Sequence, residues 1–147
     1  MIVIDTSVYI DALFVHSRHR SQLAKNLFII IQKENIEVIE PEVFKVELIS
    51  QLVRKVEEDE AFKIYNSIIT IIKIINIEEL RELAFSIASK TGCRAIDAYF
   101  IATAKLTNSI LITNDKIMAI NAKKYGIEAY YLIEEFDKAI KRIEELK

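Results

Sequence analysis

The sequence predicts an α/β fold with a mostly parallel central sheet flanked by helices. Short apolar runs rich in β-branched residues recur along the chain, each about the length of a buried strand. Stretches of helical periodicity separate them, the alternation that lays successive strands side by side in parallel. Among 147 residues there are two glycines and one proline, with no repeat or linker-like tract. One domain spanning 1–147 is the economical organisation.

Ile2-Val3-Ile4 is the first strand, ending at Asp5. Thr6 or Ser7 can cap the helix that follows, carried by Val8, Ile10 and Leu13. A second helix covers Ser21 to Gln32, and Glu37-Val38-Ile39 is a brief strand. Pro41 suits the first turn of a helix running to about Val56, where its missing N–H costs nothing. Another helix begins near Asp59. The β-branched stretch Ile68–Ile77 is ambiguous, a strand being expected in its second half. Glu78–Ser89 is helical, and Gly92 can end it. Ile96–Leu106 is a helix, Ile110–Thr113 a strand, and Lys116–Lys124 a helix with Gly126 beyond its end. Ile127–Leu132 is the last strand before a charged terminal helix.

Composition excludes several functions. With Gly92 and Gly126 alone, the chain has no glycine-rich phosphate cradle. A net charge of −2 excludes nucleic-acid binding driven by overall positive charge, though not a local basic groove. The single Cys93 forms no internal disulfide, and the start Met-Ile-Val-Ile-Asp has no signal-peptide pattern. The most apolar stretch is broken by Thr70, Lys73 and Asn76, too soon to span a bilayer. A cytoplasmic protein without a membrane segment is expected.

Four acids stand out. In open α/β sheets ligands bind beyond the carboxyl ends of the strands. Asp5 follows Ile-Val-Ile and Asp115 follows Ile-Leu-Ile-Thr-Asn, so parallel neighbouring strands would deliver both carboxylates to one edge. Asp97 shares a helical stripe with Phe100, Ile101 and Ala104, a core-facing position that is costly for a carboxylate without a partner or metal. Glu47 lies at the edge of the Phe44, Leu48 and Leu52 stripe. Each has a plainer reading: Asp5 and Asp115 as helix caps, Asp97 as a solvated acid at a helix N-terminus, Glu47 as a half-exposed glutamate. Four acids on four elements, two at strand ends, together point to a hard-cation site.

Val3-Ile4-Asp5-Thr6-Ser7, Val46-Glu47-Leu48, Asp97-Ala98 with Ala102 and Ala104, and Thr113-Asn114-Asp115 resemble, in order and spacing, the motifs of the PIN-domain nucleases. The resemblance covers nearly the whole chain and is nearest to the VapC-type toxin ribonucleases. Met118 departs from it, standing where relatives often carry an aromatic residue or a further acid. The resemblance implies a PIN-like three-layer fold and hydrolysis of RNA phosphodiester bonds with Mg2+ or Mn2+. It further implies a small antitoxin partner and a homodimer. On this reading Asp5, Asp97 and Asp115 coordinate metal directly or through water, and Glu47 holds a second ion or orients water. Thr6, Thr113 and Asn114 support the carboxylates or touch phosphate, and Arg94, three residues before Asp97, faces substrate. His16 and His19 are weaker candidates for RNA contact without a zinc spacing, and the basic clusters Arg18-His19-Arg20 and Lys123-Lys124 read as solvated surface with phosphate contact as the alternative. The rival readings are a PIN-type nuclease of RNA maturation, a non-catalytic RNA-binding module, and a phospho-receiver. A receiver usually carries an adjacent acidic pair after its first strand, and here Asp5 stands alone.

Overall fold

The computed structural model describes residues 1–146. In chain order the elements are β1 (Ile2–Ile4), α1 (Thr6–Leu13), α2 (Arg18–Lys33), β2 (Ile39–Pro41), α3 (Val43–Leu52), α4 (Glu58–Ile69), β3 (Lys73–Ile75), α5 (Ile77–Thr91), α6 (Ala95–Thr107), β4 (Ile110–Thr113), α7 (Lys116–Lys124), β5 (Ala129–Tyr131) and α8 (Leu132–Glu145). The expected alternation is present, and every strand pairing among the described residues is parallel. β4 lies between β1 and β5, and β2 pairs with β3. One parallel bridge, Ile2 to Val38, joins the two ladders.

Side-chain chemistry explains the break between the ladders. Beyond the bridge β1 and β2 separate, and the Glu40 carboxylate fills the gap. Its Oε1 accepts the Ile4 N–H at 3.2 Å and its Oε2 accepts the Tyr9 hydroxyl at 2.6 Å. Glu40 is fully buried, and burial pushes its carboxyl well above the usual range, with the nearby Asp5 charge adding to the effect. Tyr9 is held by Phe28 and Phe44, at ring distances of 4.9 and 4.8 Å.

Pro41 corrects one expectation: it ends β2 and does not start a helix. The Glu42 N–H donates toward β3, to Ile75 O at 2.8 Å. Alternation along the strand therefore turns the Pro41 nitrogen toward β1, where the ladder has opened and no N–H is required. The strand accordingly covers Ile39–Pro41 instead of Glu37–Ile39, and α3 ends at Leu52 instead of Val56. The second helix begins at Arg18, capped by Ser17, ahead of the expected Ser21. β3 falls in the second half of the ambiguous stretch, and Gly92 ends α5 in the left-handed conformation, as expected. β5 is a shorter segment of Ile127–Leu132 than expected.

Helices flank the sheet in the three-layer arrangement. α1, α2 and α8 pack together, and α5 packs on α6, which itself lies against β1, β2 and β4. The apolar strands β1 and β4 are buried along their whole length. Sandwiched between sheet and α5, α6 buries Asp97 along with Phe100 and Ile101. The sequence periodicity had marked this position for the core.

Candidate active site

The register of β1 and β4 sets Ile4 opposite Ile112, and the Asp5 N–H continues the ladder by donating to Ile112 O at 2.9 Å. Asp5 and Thr113 thus emerge together at the carboxyl edge of the sheet. Thr113 Oγ1 donates to Asp5 Oδ2 at 2.8 Å, and Ser7 Oγ donates to the same oxygen at 2.6 Å. Although Asp5 occupies the position before α1, its side chain accepts no capping hydrogen bond. The plain capping role is therefore excluded for Asp5, and Thr6 and Ser7 lie inside the helix instead of capping it. Burial raises the Asp5 carboxyl above its ordinary range, and the Asp115 charge adds to that, against the two hydroxyl bonds.

Asp115 does cap its helix, but with one oxygen. Its Oδ1 accepts the Ile117 and Met118 N–H groups at 2.9 and 3.2 Å, leaving Oδ2 turned away from the backbone. The Asp115 N–H donates to Thr113 Oγ1 at 2.9 Å. Asp97, 4% exposed, faces the same space. Burial lifts its carboxyl to about 6, reinforced by Asp5 and Asp115 and opposed by Arg94. Glu47 reaches in from α3, half-buried, and burial raises it too, with Asp5 and Asp97 adding to the effect. The buried Thr6 hydroxyl makes no hydrogen bond of its own among the described residues.

The four acids line one cavity of about 290 Å³, together with Ser7, Gln51 and Arg94. Arg94 joins two of them: Nε donates to Asp97 Oδ2 at 3.2 Å and Nη2 to Asp115 Oδ2 at 2.5 Å. The sequence pointed Arg94 toward substrate; in the structure it engages the acids themselves.

Asn114 lies away from the acids' oxygens but is tied to them. Its N–H donates to Ser7 Oγ at 3.2 Å, and its Nδ2 donates to Asp11 Oδ2 at 2.6 Å. Asp11, 2% exposed on α1, also accepts from Arg20 Nε at 3.1 Å and pairs with His16 Nε2 at 3.3 Å. Sequence reading missed Asp11, Ser7, Gln51 and Glu40; it offered His16 only as a weak RNA contact and read Arg20 as part of a solvated basic cluster. Asp11 carried a signal, since it lies three residues after core-facing Val8, on the same face of the helix. Ser7 stood inside the quoted Asp-Thr-Ser run. Nothing marked Gln51.

Among the described residues, no group of three or more His, Cys, Asp or Glu stands close enough to cage an ion directly. A lining with four carboxylates and room for water nevertheless fits a hard cation such as magnesium, which binds one or two carboxylates and keeps several waters. Burial chiefly raises Asp5, Glu47 and Asp97, repulsion from neighbouring acids adds to it, and a cation would offset both by favouring the charged forms.

The family model described as PIN domain matches residues 2–124. No curated protein sequence matches the chain. Among solved structures, the chain is similar to PAE2754 from Pyrobaculum aerophilum, with a TM-score of 0.64 at 15% identity over 97% of this chain and 88% of that one. It is also similar to a protein from a toxin–antitoxin complex of Klebsiella pneumoniae, with a TM-score of 0.60 at 20% identity over 78% of this chain and 87% of that one. At these identities the two likenesses concern the fold.

Proposed function

The chain belongs to the PIN domain family, and from that premise we propose that it is a metal-dependent endoribonuclease, the toxin of a toxin–antitoxin pair. The observation that supports this best is the convergence of Asp5, Glu47, Asp97 and Asp115, from four elements, on one cavity at the carboxyl edge of the sheet. Asp5, Asp97 and Asp115 are the proposed holders of Mg2+ or Mn2+, directly or through water, with Glu47 beside them. A bound ion would supply a water of lowered pKa and positive charge for the scissile phosphate.

The chain's own residues have distinct parts in this scheme. Thr113 and Ser7 fix the Asp5 carboxylate by donating to one oxygen. The α7 N–H groups fix Asp115 by holding its other oxygen. Glu47, the one acid of the four not assigned to hold the ion and also raised by burial, is the proposed acceptor of a proton from a water in the cavity. Asn114 keeps the Thr113–Asp115 turn seated through Ser7 and Asp11.

The Klebsiella structure's title names a toxin–antitoxin complex, which supports extending the toxin reading, with its small antitoxin partner, to this chain. A single-domain homodimer working in the cytoplasm completes the proposal; no described helix is long and apolar enough to cross a membrane. The test pairs two assays. Purified protein should cut single-stranded RNA with magnesium or manganese, spare the matching DNA, and stop on chelation. Induced expression should arrest bacterial growth, and Asp115→Asn should not. Cleavage of RNA without growth arrest would favour RNA maturation over the toxin role.

A further inference from the structure

We propose that Arg94 is a built-in counter-ion of the acidic cavity, displaced when a divalent cation enters and then turned toward the phosphate of bound nucleic acid. The inference rests on the metal-nuclease reading above.

Arg94 is the residue before the first turn of α6 and caps nothing with its side chain. Its guanidinium instead bridges α6 to the β4–α7 turn, taking Oδ2 of both Asp97 and Asp115. For Asp115 this is the oxygen that its helix cap leaves over, Oδ1 belonging to two backbone N–H groups. For Asp97 the bond to Arg94 is the only side-chain hydrogen bond among the described residues. The charges of Asp5 and Glu47 act on the same guanidinium. Arg94 therefore stands at the electrostatic centre of all four acids.

A cation binding Asp115 would take the same Oδ2 that Arg94 engages, and one binding Asp97 as well would lie against the guanidinium. A divalent ion at these carboxylates would lie beside the guanidinium, and their like charges repel, so each weakens the other's hold. The guanidinium is the one equipped to leave. Its side chain is 73% exposed, so water screens its ion pairs and they hold it weakly. The carboxylates are equipped to stay: Asp115 is held by its cap and Asp97 by burial. Once released, the planar fork remains tethered at the cavity rim, suited to bidentate contact with a phosphate.

The test is calorimetric titration of Mn2+ into wild type, Arg94→Gln and Arg94→Lys at one ionic strength. Removing a weak competing pair should tighten ion binding roughly three- to tenfold in Arg94→Gln. Arg94→Lys keeps the charge but cannot bridge both oxygens, so it should also bind more tightly than wild type. In nitrogen-15 spectra, the Arg94 Nε–H signal should shift and exchange faster with water as magnesium saturates the protein. An oligoribonucleotide with bridging methylenephosphonate linkages, which keep the phosphate charge but lack the scissile P–O bond, should bind wild type more tightly with magnesium than without, and Arg94→Gln should lose most of that gain. Equal ion affinity in wild type and Arg94→Gln overturns the exchange and leaves the nuclease reading standing. So does an Nε–H that stays protected at saturation. Wild-type affinity in Arg94→Lys alone reduces Arg94 to a distant repulsive charge and overturns displacement. Equal magnesium gain in both proteins overturns the phosphate contact. Absence of ion binding in all three proteins overturns the exchange and the metal-nuclease reading together.

Discussion

Thr113 and Asp5 are joined across the β1–β4 ladder by a 2.8 Å hydrogen bond, the hydroxyl donating to Oδ2. The same hydroxyl accepts the Asp115 N–H at 2.9 Å. One threonine, fully buried at the end of β4, thus fixes the spacing of two acids that are 110 residues apart in the chain. Parallel register makes this possible, because it delivers both strand ends to one edge.

Divalent metal should stabilise the fold. An ion that binds only the native cavity adds stability by mass action, about 2.7 kcal/mol at one hundred times its dissociation constant. For a chain of this size that is a rise in Tm of about 5–10 °C. Thermal melts with and without magnesium or manganese check it, and Asp97→Asn should blunt the rise. A Tm unmoved by either ion at millimolar concentration would count against the site.

Without metal, stability should fall as pH rises from about 4 to about 6. The Asp97 carboxyl titrates near 6 in the folded protein, against an ordinary 3.8. Between these values the folded chain holds a proton that the unfolded chain has released, so raising pH favours unfolding. The contribution is on the order of 2–3 kcal/mol, fully present below the unfolded value and lost above 6. Asp5 and Glu47, also raised, act in the same direction. Denaturant melts in chelator at pH 4.5 and 7.5 should show the wild type losing ground to Asp97→Asn as pH rises. Parallel behaviour of the two proteins would contradict the assignment.

How much of this was legible depends on which interactions decide each element. The strands Ile2–Ile4 and Ile110–Thr113 are wholly buried, so their β-branched runs stood out, and with them the acids at their ends. Asp97 was legible because helical periodicity marks a core position regardless of what sits there. β2 was misplaced because its boundary depends on the Glu40 carboxylate replacing a backbone partner for Ile4, a contact spanning 36 residues. The network through Ser7, Asn114 and Asp11 was illegible for the same reason: each link joins residues far apart in sequence. Arg94 was recognised by its spacing from Asp97, but its second partner, Asp115, depends on how α6 meets the β4–α7 turn.

Glu40 should behave as a neutral hydrogen-bonding group. Its carboxyl is raised by burial, and its partners are an N–H and a hydroxyl. Glu40→Gln keeps an oxygen for Ile4 and a group that can bond Tyr9, so its cost should stay within about 1 kcal/mol. Glu40→Leu leaves the Ile4 N–H and Tyr9 hydroxyl buried without partners and should cost about 2–5 kcal/mol. Chemical denaturation of both variants checks the ordering, and equal destabilisation would show that Glu40 is held as a charge.

The central claim is that Asp5 holds a catalytic ion, and Asp5→Asn tests it most directly. Asparagine keeps the size of the side chain and a carbonyl oxygen for Ser7 and Thr113 to bond, but removes the negative charge. Asp5 makes no side-chain cap that the substitution could remove. The variant should keep the wild-type circular dichroism spectrum and gain slightly in metal-free stability as repulsion from Asp115 falls. The decisive measurement is RNA cleavage with magnesium or manganese, wild type beside Asp5→Asn, with chelator as control. The account predicts that the wild type cuts only with metal and that the variant, equally folded, does not cut. Equal cleavage by both proteins, or cleavage by the wild type in chelator, would contradict it.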